Sequence, residues 1–170
     1  LFLNLAAFHN KYKDIQLSVF TALPTGGFFG DFTNAGEGTI NGFEAEYQWM
    51  PNEHWRVVGN LAWLDAKYDE FAFFNPLTGT TINIADEQEF TNAPDFSGAL
   101  NVEWRTGLAN GGNLSARIGY SYQTEVTATT EIIRTVTPPI APFGRPPITQ
   151  DAYGLINAGV ALWTTELLKS

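Results

Sequence analysis

Apolar and polar residues alternate in steps of two along most of this chain. Phe43, Ala45, Tyr47 and Trp49 fall on one side, and Glu44, Glu46 and Gln48 on the other, as successive side chains of a strand do. The same period predicts six strands, over residues 1–18, 38–50, 54–70, 96–106, 113–127 and 152–164. No long segment keeps a helical period. The expected class is therefore all-β. Most of these strands exceed the five or six residues usual in soluble sheets, and about ten residues suit a strand tilted across a bilayer.

The connections fall into two kinds that alternate. Residues 50–54 (MPNEH) and 106–113 (TGLANGGN) are short and rich in Pro, Asn and Gly, as tight hairpin turns require. Residues 21–38, 72–95 and 128–151 are long. Loops beyond about 12 to 15 residues are uncommon in compact soluble domains. An antiparallel up-and-down transmembrane β-barrel, with tight turns at one mouth and long loops at the other, accounts for all of them.

In such a barrel the apolar side faces lipid and the polar side lines a wet lumen, with aromatic belts at the two membrane interfaces. Trp49 and Trp55 flank the first short turn, Trp104 precedes the second, and Trp163 ends the last strand, where a third is due. Trp63 shares a side with Trp55, eight positions away, which on a tilted strand is roughly 20 Å of height. Between them that side reads Val57, Gly59, Leu61. Phe96 to Trp104 and Leu114 to Tyr122 repeat the pattern, with charges confined to the other side. The first strand is ambiguous, because Leu3, Leu5 and Ala7 compete with Phe8 and Tyr12 for the outward side.

The formal charge is -9, with 9 Lys and Arg against 18 Asp and Glu. That balance argues against nucleic acid as a partner, since phosphate backbones need a basic surface. Cysteine is absent, which excludes disulfides, thiolate metal sites and a cysteine nucleophile. No stretch reaches the roughly 18 apolar residues of a membrane helix. The chain begins in mid-alternation, without Met, and reads as a piece of something larger.

Particular stretches resemble the barrel of TonB-dependent receptors. They are Asn34-Ala35-Gly36 leading into Gly42-Phe43-Glu44-Ala45-Glu46, the turn at Pro51, the run to Tyr68-Asp69, the upstream LAAFHNKYKDIQ, the downstream TNAPDFSGALNVEW, and YGLINAGVAL with Asn157. The resemblance implies a barrel of roughly 22 strands with a plugged lumen. It also implies a plug domain, a TonB-contacting segment and a final strand ending in an aromatic residue. The expectation is that residues 1–170 form about six strands of that barrel, a late but not terminal portion, with plug and final strands absent. The implied role is active uptake of a scarce nutrient, a ferric siderophore, cobalamin or glycan, across the outer membrane of a Gram-negative bacterium. Partners would be outer-membrane lipid, a small-molecule or oligosaccharide substrate and the TonB complex through the plug. A soluble β-sandwich that binds or cleaves carbohydrate, and a passive porin-type channel, are the competing readings.

Chemistry is sparse. Glu44 and Glu46 lie about 7 Å apart on one side of a strand, a spacing some glycosidases use. They read more simply as lumen-facing acids opposite Arg56 or Arg105, and no catalytic residue is assigned. The loop acids Asp86, Glu87, Glu89 and Asp95 lack the regular spacing of a calcium loop, and His9 and His54 are far apart. No metal site and no cofactor is expected. The loop aromatics Phe28, Phe29, Phe73, Phe74, Phe90 and Phe143 are the candidate ligand contacts of an external vestibule, since aromatic rings grip apolar and sugar-like ligands. They serve equally to pack the loops together.

Overall fold

The structure, a computed structural model, describes residues 1–22, 28–75, 79–109, 111–128 and 148–164, with backbone alone at 17–22, 28–35, 73–75 and 87. The described strands are β1 (Phe2–Ala22), β2 (Phe28–Trp49), β3 (Trp55–Asn75), β4 (Thr80–Asn83), β5 (Phe96–Gly107), β6 (Gly112–Gln123), β7 (Val126–Thr127), β8 (Thr149–Gln150) and β9 (Tyr153–Thr164). Among the described residues a single 3-10 turn covers Ala85–Glu87. Neighbouring strands run antiparallel in the order β1-β2-β3-β5-β6-β9. β4 folds back on the outer end of β3, and β7 pairs with β8 beside the sheet.

The ladder settles which side is which, because directly paired residues share a face. Tyr47, Gly59, Leu100, Tyr120 and Ile156 form one cross-strand row, and Phe43, Trp63 and Phe96 another. Trp55 pairs with Trp104 at the tight-turn end. Leu3, Leu5 and Ala7 pair with Tyr47, Ala45 and Phe43, so they take the outward side and Phe8 the inward one. The Phe8 ring lies over Gly42, where a Cβ would stand only 2.2 Å from it. No second layer covers the outward face among the described residues: Leu162 is 69% exposed and Ile118 54%. A soluble sandwich would bury these side chains, so that alternative is set aside.

Three expectations are corrected. The long connection 21–38 is mostly strand: pairs from Gln16–Asn34 to Ala22–Phe28 carry the β1–β2 ribbon outward. Backbone ladders need no side-chain alternation, so the ribbon continues where the pattern stops. Trp163 pairs with Asn113, the neighbour of outward-facing Leu114, and therefore lies on the lumen side, outside the belt made by Trp49, Trp55 and Trp104. Glu44 and Glu46 pair with Ala62 and Asn60, not with arginine; Arg56 instead stands beside Glu103, which stands beside Arg117.

Bulges interrupt the three longest strands at one level. Asp14, at φ 55, sits in the register shift between Tyr12 and Ile15. Opposite it, Gly36 adopts φ 129 and the β2–β3 register slips between Glu37 and Gly38. A Cβ on Gly36 would lie 2.3 Å from the Glu70 backbone oxygen. Gly36→Ala thus meets both a forbidden dihedral and a rigid neighbour, and should destabilise the outer half of the sheet by about 1 to 3 kcal/mol. Faster proteolysis of the long loops, with the lipid-facing half unchanged, is the expected readout; an unchanged digestion pattern would count against it.

Candidate functional site

Above the Phe43–Trp63–Phe96 row the sheet reverses its polarity. On the outward side, His9 meets Asn41 at 2.7 Å, Thr39 donates to Asp69 at 2.6 Å, and Lys67 pairs with Asp65 at 2.8 Å. The hydrogen bond from Lys67 draws the Asp65 carboxyl below its usual range, and Asp65 raises Lys67 in turn. Hydrocarbon cannot host such a surface, so the membrane-facing band ends near Trp63.

The inward side becomes apolar at the same height. Tyr68, Phe71, Ile84 and Ala85 form a buried cluster against which Ile15 and Phe90 pack. Phe71 is fully buried. Its placement depends on the bulge: the register advances by two residues on β3, from Tyr68 to Glu70, for one on β2, which turns Phe71 rather than Glu70 onto the face of Tyr68. The two rings meet edge-on at 5.1 Å, and Phe90 stacks on Tyr68 at 4.1 Å and 10°. Burial pushes the Tyr68 phenol up, so it is neutral at physiological pH.

This cluster anchors the loop that follows β4. The Asn83 carboxamide oxygen accepts from Phe71 N at 2.9 Å and Ala85 N at 3.1 Å, and Ile84 N donates to Phe71 O. Farther along, Thr127 donates its hydroxyl to Glu89 at 2.5 Å, Asn92 N donates to Thr127 O, and Leu64 N donates to Asp95 O. The segment 84–95 is thereby clamped between the inward face of β3 and the β7–β8 pair.

Of the aromatic candidates, Phe90 has its ring committed to Tyr68. Phe28 and Phe29 sit at the outer end of the β1–β2 ribbon, paired with Ala22 and Thr21, and Phe73 and Phe74 pair with Ile82 and Thr81. Phe143 lies outside the described residues. The backbone thus brings the first five to the long-loop end of the sheet. Among the described residues no group of three His, Asp or Glu could hold a metal. Tyr68 and Phe71 escaped sequence reasoning because the bulge breaks their period. A usable signal was the failure of alternation at Asp69-Glu70.

Farther inward along the lumen side, Asn60, Asn101 and Gln48 line a shallow recess with Glu46, and Arg56 and Glu103 line another with Asn101. Asn101 and Asn157 lean over Gly119 from its two neighbouring strands. A wall of carboxamides and separated charges suits a wet interior.

The family model described as "TonB dependent receptor-like, beta-barrel" matches residues 1–167. This chain belongs to the TonB-dependent receptor β-barrel family. It is 31% identical over 120 residues to the metal-pseudopaline receptor CntO of Pseudomonas aeruginosa, in strains UCBPP-PA14 and PAO1, covering 69% of this chain and 15% of CntO. The siderophore receptor PiuA of Acinetobacter baumannii has the same fold, with a TM-score of 0.55 at 17% identity over 93% of this chain and 19% of PiuA. The match spans 15% of the length of the curated relatives. TonB-dependent receptors are transporters, not enzymes, and reside in the Gram-negative outer membrane. The sheet is accordingly a section of outer-membrane barrel wall, lipid-facing from Trp55 to Trp63 and external beyond.

Proposed function

We propose that this chain is part of the wall and vestibule of an active transporter that draws a metal-chelating small molecule through the outer membrane. The observation that carries the reading is the reversal of polarity in one continuous sheet at the Trp63 row. It joins a lipid-facing band to an external ledge that carries segment 84–95. The names of CntO and PiuA, both receptors for metal-binding small molecules, support a metal chelate over cobalamin or glycan. Energy coupling would come from the TonB complex acting on the family's plug. Phe28, Phe29, Phe73, Phe74 and Phe143 would line the vestibule, with Phe90 acting by holding its loop to Tyr68.

The test uses the full-length gene in a strain deleted for it. Uptake of iron-55 presented on a panel of siderophores is compared with uptake of cyanocobalamin and maltodextrin, with and without TonB. Chelate uptake that requires TonB is expected. Uptake independent of TonB would indicate a passive channel, and uptake of cobalamin or maltodextrin alone would overturn the cargo class. Phe73 and Phe74 occupy successive, alternating positions of β3, so one of the single variants Phe73→Ala and Phe74→Ala should weaken the apparent affinity for the transported chelate several-fold, the scale of one lost aromatic contact. An unchanged affinity in both variants would remove both residues from the site.

A further inference from the structure

We infer that the inward face of β1, β2 and β3, beside the buried cluster, seats an uncharged aromatic part of the transported chelate, with Tyr12 as the ring it stacks on. The inference rests on the transport reading above. Three cross-strand rows make the seat: Phe8–Gly42–Leu64, Asn10–Ile40–Ala66 and Tyr12–Gly38–Tyr68. None of these positions carries a charge. The next row toward the tight-turn end is Ala6–Glu44–Ala62, where the acids of the lumen wall begin.

The chain's own cover stops at the outermost row, where Phe90 and Ile15 fill the space over Gly38 so closely that a Cβ would lie 2.8 and 3.1 Å from them. Tyr12 is left out of that packing. Tyr68, Phe71 and Phe90 are committed to one another, whereas the Tyr12 side of the same row stays 47% exposed. Among the described residues its ring meets no other ring and its hydroxyl has no hydrogen-bond partner. The occupant follows from place and charge. The seat lies on the lumen side, opposite the outward column of Leu3, Leu5 and Ala7, so lipid does not reach it. Lys11 and Lys67 take the alternate, outward positions of their strands, and Lys13 reaches Glu37 beside Lys11. No cation therefore stands on the patch to meet carboxylates, while Glu44 borders it and the chain carries a formal charge of -9. A polycarboxylate chelate is repelled there. An aryl group presents a flat neutral face to the Tyr12 ring and leaves the phenol free for one hydrogen bond.

The experiment measures binding to the full-length receptor by quenching of its tryptophan fluorescence. The probes are a linear iron(III) trihydroxamate acylated on its terminal amine with benzoyl or with acetyl, which share their iron-binding groups and charge, and ferric citrate. The benzoyl form should bind several-fold more tightly than the acetyl form, the scale of one aromatic contact, and ferric citrate should bind most weakly. Tyr12→Ser should remove the benzoyl advantage, and Tyr12→Phe should keep it. If Tyr12→Ser fails to fold, the wild-type preference and Tyr12→Phe still decide. Equal binding of the two acylated forms, binding of neither, tightest binding of citrate, or a benzoyl advantage that survives Tyr12→Ser would overturn the proposal. Lower stability of Tyr12→Ser with the advantage intact would assign the ring to contact with another part of the receptor, and would overturn it too. TonB-dependent uptake of a chelate by the wild type, measured beside these affinities, keeps the transport reading standing where the aromatic seat alone fails.

Discussion

Leu100→Arg should cost about 2 to 4 kcal/mol of barrel stability, while Asn101→Arg, one residue further on, should cost far less. The two positions differ only in face. Leu100 shares its cross-strand row with Gly59, Tyr120 and Ile156, in the middle of the β5 stretch bounded by Phe96 and Trp104. An arginine there must reach the interface through hydrocarbon or thin the bilayer around itself. Asn101 stands beside Val58 and Gly119 on the lumen wall, where water and neighbouring carboxamides solvate a guanidinium. Unfolding of the full-length receptor in urea from lipid vesicles gives the comparison. Similar costs at both positions would invert or abolish the assignment of faces.

That assignment was legible from sequence wherever one side of a strand carried all the large apolar residues. In β3 and β5, Trp55, Trp63, Phe96 and Trp104 mark both edges of the band, and their pairing in the sheet matches the spacing in the chain. β1 was not legible, because its apolar residues occur in both registers. What decides it is non-local: only Gly42, on the next strand, leaves room for the Phe8 ring to lie inward. The tight turns were readable from their Pro, Asn and Gly content. The outer ends of β1, β2 and β3 were not, since a ribbon held by backbone ladders above a bulge carries no regular side-chain period. Trp163 shows the limit of reading belts from position alone, as a tryptophan at the correct height turned to the lumen. At the outer end the sequence offered only loop aromatics. The buried cluster there, with Tyr68, Phe71 and Asn83, arises from a fold-back that joins β3 to residues 83–90, and such contacts are set by the tertiary path.

The same fold-back yields the other large effect. Phe71→Ala should cost about 3 to 5 kcal/mol, the range for removing a fully buried aromatic ring, and the loss should fall on the external ledge and not on the lipid-facing band. Phe71 is fully buried. Its ring packs edge-on against Tyr68, which in turn stacks on Phe90, while its backbone oxygen accepts from Ile84 N. A cavity here loosens every attachment of segment 84–95 to the sheet, whereas Leu61 and Leu100 lie beyond the Trp63 row, in contact with lipid. Hydrogen exchange in the full-length receptor should therefore accelerate at Ile84 and Gln88, with amides at Leu61 and Leu100 unchanged. Tyr68 supplies an independent readout. Its phenol is raised by burial, so the stability it contributes is present below its unfolded pKa and is lost as pH rises through the folded one. In Phe71→Ala, phenolate absorbance should appear at lower pH as water reaches the ring. Uniform acceleration across the barrel, or a Tyr68 titration identical to wild type, would show that the external cluster is not a separate unit of stability and that the polarity reversal at Trp63 divides nothing.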